Sequence, residues 1–175
     1  MDLLAAIKER RSVRSFLHKD LPNGVLEEII GCGILAPSAG NTQPWGFIIV
    51  RERQRKKALS EAALSQDFIE EAPVVIVVLA DQARSARVYG RRGSELYSIQ
   101  DTAAAIQNML LTAHGLGLGA CWVGAFDEGS VAEIVKAPRH AKPVAVIPIG
   151  YPSYPSTATP RRNISEVVHD EVYQT

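Results

Sequence analysis

Arg10, Arg11, Ser12 and Arg14 place three guanidinium groups and a hydroxyl within five residues. Such a set suits the grip of a phosphate by charge-assisted hydrogen bonds. The same cations also suit a plainer task. The residues before them have helical periodicity, and positive charge complements the negative end of a helix dipole. Both readings stay open on this segment alone. Arg161 and Arg162, after Pro160, divide in the same way between a solvated basic pair and a second anion contact.

A second constellation lies between Pro37 and Pro44, where Ser38, Asn41 and Gln43 offer short polar groups in a stretch braced by proline. Proline and glycine account for a turn here, but not for the polar content, which suits hydrogen bonds to a ring edge or to sugar-like hydroxyls. Gly115, Gly117 and Gly119 faintly resemble a dinucleotide fingerprint. They follow a helical pattern and precede a strand-like one, the reverse of the order that aims a helix N-terminus at a pyrophosphate, so that site is rejected. His18, His114, His140 and His169 are scattered, and no His or Cys pair has metal-ligand spacing. No Ser or Cys lies in a nucleophile elbow.

The elements that must position these groups follow from periodicity. Asp2 to Arg10 reads as an amphipathic helix, and a second opens at Pro22 with Val25, Leu26, Ile29, Ile30 and Ile34 as its stripe and Pro37 as its stop. Gly46 to Arg51, Val74 to Ala80, Ala120 to Val123 and Val144 to Ile149 read as strands. Gln54 to Leu64 and Ser94 to His114 read as helices, the latter rich in alanine and buried on most sides. Asp127 reads as the N-cap of a helix ending near Lys136. Val88 to Ser94, polar and punctuated by glycine, reads as a mobile cover. From Tyr151 onward, prolines exclude regular structure, and a tail carrying Ile164, Val167, Val168, Val172 and Tyr173 needs a surface to cover. The interleaving of helices with non-sequential strands predicts α+β layers.

The chain has 175 residues, 19 Lys plus Arg against 19 Asp plus Glu, and 46% hydrophobic residues. This describes one domain over 1–175, or one subunit of an obligate oligomer. Neutral charge gives no argument for nucleic acid or an anionic membrane, no apolar run is long enough to span a bilayer, and the first 14 residues lack a signal-peptide core. Cys32 and Cys121 read as separate buried thiols. A cytoplasmic location is expected.

Four pieces taken together, RRSVRSF at 10–16, APSAGNTQPWGF at 36–47, GLGACWVGAF at 117–126 and PRR at 160–162, resemble the nitroreductase family of FMN-dependent oxidoreductases. The resemblance implies a three-layer α/β/α sandwich with a mixed, largely antiparallel sheet. Its C-terminal segment, 151–175, is exchanged across a homodimer that binds FMN at the subunit interface. Arg10, Arg11 and Ser12 would hold the FMN phosphate and ribityl chain. Arg14 would approach the pyrimidine edge, where a cation stabilises the negative charge that reduction places near N1 and the C2 carbonyl. Pro37, Ser38, Ala39, Asn41 and Gln43 would cover the flavin of the neighbouring subunit, with Trp45 anchoring that loop.

In the same way Gln66 would contact the pyrimidine ring. Val123, Gly124 and Ala125 would lie beside the dimethylbenzene and N5 edges, with a main-chain N–H near Gly124 bonding N5. Arg161 and Arg162 would reach the phosphate from the far end of the chain. The lysine that members often carry just before is absent here, which shifts weight to Arg162. The implied reaction takes hydride from NADH or NADPH and reduces a nitroaromatic or quinone by a ping-pong scheme. Dehalogenation, flavin breakdown and a non-catalytic FMN-binding redox module are the alternatives.

Overall fold

Seven consecutive apolar residues, Val74–Ala80, are all buried, which a strand achieves only when both of its faces are covered. The computed structural model describes residues 2–173; Met1 and the last two residues of the expected tail, Gln174 and Thr175, lie outside the described residues. In chain order the elements are α1 (Leu3–Glu9), α2 (Val25–Gly33), β1 (Trp45–Val50), α3 (Arg53–Ala62), α4 (Phe68–Glu71) and β2 (Val74–Asp81). There follow α5 (Gln82–Arg92), α6 (Ser98–Gly115), β3 (Gly119–Ala120), α7 (Glu128–Val135) and β4 (Ala141–Gly150).

The strands form one sheet in the order β1-β2-β4-β3, and all three pairings are antiparallel. Period-2 alternation then divides β2 between two cores. Val74, Ile76 and Val78 pack with Leu26 and Ile29 of α2 and with Ile106, Met109 and Ala113 of α6. Val75, Val77 and Leu79 pack with Leu59 of α3, Ile69 of α4 and Val131 and Val135 of α7. Helices therefore cover both faces of the sheet, giving the three layers that the resemblance implies.

A single parallel link, Ser12 to Ala120, adds the segment after α1 to the β3 edge, with Val13 N–H donating to the Ala120 carbonyl at 3.0 Å. Beyond it Phe16 bridges Pro152, and Leu17 N–H donates to the Tyr151 carbonyl at 2.8 Å. The residues following α1 are thus fixed between β3 and the start of the C-terminal segment.

Three expectations need correction. Val88 to Ser94 is not a loose cover: its first residues complete α5, Gly90 (φ 55°) kinks the chain, and a π turn, Gly93–Tyr97, leads directly into α6. The predicted helix from Ser94 accordingly begins as a regular α-helix only at Ser98. The predicted strand from Ala120 to Val123 contracts to β3 plus one bridge, Val123 to Val146. Asp127 caps α7 as expected, accepting from Ser130 N–H at 2.7 Å. No helix among the described residues is long and apolar enough to cross a membrane.

Candidate functional site

Arg10, Arg11, Ser12 and Arg14 leave α1 on extended backbone and line a cleft of about 590 Å³. Its opposite wall is the C-terminal segment, with Tyr154, Ser156, Thr157, Thr159 and Arg161. The two ends of the sequence thus meet in one cavity. No carboxylate lines it, and none of its four arginines makes an ion pair among the described residues. Neighbouring clefts differ. The one near Lys56 mixes Lys19, Arg51 and Arg53 with Asp67, Glu70 and Glu71. The first, by contrast, sets arginines without a carboxylate beside hydroxyl donors, which is the donor set of a phosphate site.

Arg161 faces this cleft, whereas Arg162 is drawn aside to Glu166, its Nε 3.2 Å from the carboxylate and its Nη2 2.6 Å from the backbone carbonyl. Of the pair on which the resemblance weights Arg162, it is Arg161 that lines the cleft. Beneath the arginines lies Cys121, buried beside β3. Burial pushes its thiol above the ordinary range, while Arg14, the Ser12 hydroxyl and Arg10 pull it back. Both cysteines are free.

Gln66 and the Val123–Ala125 segment come together on the other side of the β3 edge. The Gln66 side-chain amide donates to the Ala63 carbonyl at 2.7 Å and to that of Ala125 at 3.4 Å, following a turn in which Leu64 and Ser65 both have positive φ. Val123 is buried against the sheet, but Gly124 and Ala125 are exposed.

The loop of Pro37, Ser38, Ala39, Asn41 and Gln43 stands elsewhere. It forms a short 3₁₀ turn, Ala39–Asn41, whose Ala39 N–H donates to Asp101 at the start of α6. Arg11 and Val13 instead line a small cavity with His114, near the end of α6. Thirteen helical residues at 1.5 Å each separate Asp101 from His114, or about 20 Å. The loop and the anion cleft of one chain thus occupy opposite ends of α6. Trp45, the expected anchor of the loop, opens β1 and is only half-buried.

Asp101, Arg84 and Tyr89, which hold this loop, were not singled out from the sequence. Asp101 had a signal: a carboxylate among the alanines of a helix buried on most sides. The hydroxyl residues of the far cleft wall had none, because nothing in Ser- and Thr-rich composition says where an irregular segment lies.

Residues 7–66 and 58–151 match the family model described as the nitroreductase family. A Thermus thermophilus protein named NADH dehydrogenase is 34% identical over 194 residues, covering 94% of this chain and 95% of its own length. A Bacillus subtilis FMN reductase (NAD(P)H) is 28% identical over 185 residues, covering 98% of this chain and 74% of the other. The solved structure of the NfrA1 nitroreductase from B. subtilis superposes with a TM-score of 0.89 at 26% identity, over 99% of this chain and 75% of that one.

Proposed function

Because the chain belongs to the nitroreductase family, we propose that it is an FMN-dependent oxidoreductase that takes hydride from NADH or NADPH and passes it to a nitroaromatic, quinone or related acceptor. The observation that carries this reading is the carboxylate-free cleft of Arg10, Arg11, Ser12, Arg14 and Arg161. Three guanidinium groups, of Arg10, Arg11 and Arg161, with the Ser12 hydroxyl fit one phosphate monoester, and the fourth, of Arg14, is left for the ring.

In this reading Arg10, Arg11, Ser12 and Arg161 hold the phosphate. Arg14 faces the pyrimidine edge, where its charge favours the reduced, anionic form. The exposed backbone near Gly124 offers an N–H to N5, and Gln66, tied to Ala125, fixes that segment against the ring. FMN, when bound, supplies the acceptance and return of hydride, so the protein needs no nucleophile of its own. Its residues bind, orient and tune.

The working unit is a homodimer with FMN at two interfacial sites. Supporting this, the Ser38–Gln43 loop lies about 20 Å along α6 from the cleft of its own chain, so a loop that covers the flavin must come from a second copy. Apolar side chains that need covering include Leu3, Leu4 and Ile7 on α1, Leu35 at 79% exposure, and Ile164, Val167, Val168 and Tyr173 of the tail, with Tyr173 at 80%. The tail exchanged between subunits supplies that cover. Two free thiols suit a reducing cytoplasm.

One pocket over the flavin serves donor and acceptor in turn, so initial rates against NADH at several fixed acceptor concentrations should give parallel reciprocal lines. Intersecting lines would require both substrates to be bound together and would overturn the single-pocket scheme.

A further inference from the structure

The Ser38–Gln43 loop is strained. Gly40 (φ 53°), Asn41 (φ 55°) and Gln43 (φ 49°) all adopt left-handed backbone, which glycine and asparagine accept but the Gln43 side chain disfavours. Such backbone persists only when the surroundings over-determine it. Within the loop, Gln43 N–H donates to the Ser38 hydroxyl at 3.0 Å, and the Gln43 amide to Asn41 Oδ1 at 3.2 Å. These bonds are exposed and join loop residues to one another, so they do not fix the loop to the body of the protein.

Three outside contacts do. Arg84 Nε of α5 donates to the Thr42 carbonyl. The Tyr89 hydroxyl lies where a Cβ on Gly40 would stand, so glycine is required there for closeness as well as for φ. Asp101, in the first turn of α6 and only 7% exposed, accepts the Ala39 N–H at 3.1 Å through Oδ1. Its other oxygen, Oδ2, is buried without a hydrogen-bond partner. Burial without compensation is costly for a carboxylate, and it holds the Asp101 pKa above the ordinary range. The one hydrogen bond that this carboxylate makes is the one that starts the loop.

We propose that Asp101 is a positioning residue: by accepting the Ala39 N–H it fixes the Ser38–Gln43 loop, and so sets the FMN affinity of the site which that loop completes on a second copy. This rests on the function proposed above. Asp101 touches no ligand itself and acts only through the loop. Ala39 allows a test from the other side of the bond. Ser38 has ψ 151°, which suits a following proline, so Ala39→Pro removes the N–H; its Cδ then takes the place of that hydrogen against Asp101 Oδ1, a clash that the Asp101→Ala/Ala39→Pro double variant relieves.

The experiment titrates FMN into the flavin-free full-length protein, by quenching of flavin fluorescence, for wild type, Asp101→Ala, Asp101→Asn, Ala39→Pro and the Asp101→Ala/Ala39→Pro double variant. Amide exchange over 38–43 is followed in the same flavin-free samples. Asp101→Ala and Ala39→Pro should each weaken FMN roughly tenfold and speed exchange in the loop, the scale of one lost buried hydrogen bond. Asp101→Asn, which keeps the acceptor, should stay within about threefold of wild type. The double variant should bind no worse than the weaker single one, because both changes cut the same bond.

Wild-type FMN affinity in Asp101→Ala, equal losses in Asp101→Asn and Asp101→Ala, or multiplicative losses in the double variant would each overturn the proposal. If Asp101→Ala does not fold, Ala39→Pro and Asp101→Asn decide alone: a tenfold loss in the first with none in the second supports it, and any other pattern overturns it. A wild type that takes up no FMN overturns the proposed function and this effect on affinity together. Loop exchange then still decides whether Asp101 holds the loop.

Discussion

Val13 rests directly on Gly119: a Cβ on Gly119 would stand 2.6 Å from Val13 Cγ2. The glycine-rich turn after α6 therefore serves the anion cleft indirectly. It lets the Ser12–Arg14 backbone approach β3 closely enough to pair with Ala120.

Gly119→Ala should displace that segment. Overpacking of this kind costs about 1–3 kcal/mol, read as a lower unfolding temperature together with weaker FMN binding. Gly115→Ala, in the last turn of α6 and with nothing within 4 Å of the added methyl, is the control: it should leave FMN binding unchanged and should not lower the unfolding temperature.

Arg10 and Arg14 share the cleft, and the proposed function gives them different tasks. Arg10→Ala should weaken FMN binding, and excess FMN should restore the wild-type midpoint potential. Arg14→Ala should lower the potential even at saturating FMN, by on the order of 30–60 mV, the two-electron equivalent of one charge-assisted hydrogen bond. Spectroelectrochemical titration of both variants separates the roles. An unchanged potential in Arg14→Ala would remove that residue from the tuning role.

Much of this site was legible because its parts are local. RRSVR and the Pro37–Pro44 loop announce their chemistry by residue type, and β2 announces burial by its unbroken apolar run. What the sequence concealed was relational. Gly90 and Gly93 read as loop punctuation, yet they only kink the chain between α5 and the π turn, and Gly93 packs against the Ser85 backbone, where any side chain would clash. Whether Arg161 or Arg162 faces the cleft was equally hidden, since Glu166, four residues on, makes the choice. Asp101 could be read as one helix carboxylate among others until Ala39, 62 residues away in sequence, was found against it.

The burial of Asp101 also predicts a pH effect. Its folded pKa is raised above that of the unfolded chain, so the stability it contributes is full below the unfolded carboxylate pKa and is lost as pH rises through the folded value. Asp101→Asn has no proton to lose. Its melting temperature should match that of wild type near pH 4, about the carboxylate range, and exceed it at neutral pH. An equal difference at both pH values would mean that the carboxyl does not titrate across that range.

The most direct measurement of the central claim is the flavin itself. The protein should purify yellow, and heat should release FMN, not FAD, at one molecule per subunit, with loss of binding in an Arg10→Ala/Arg161→Ala double variant that remains folded. A colourless protein that takes up no FMN on titration, or one that releases FAD, would contradict the account.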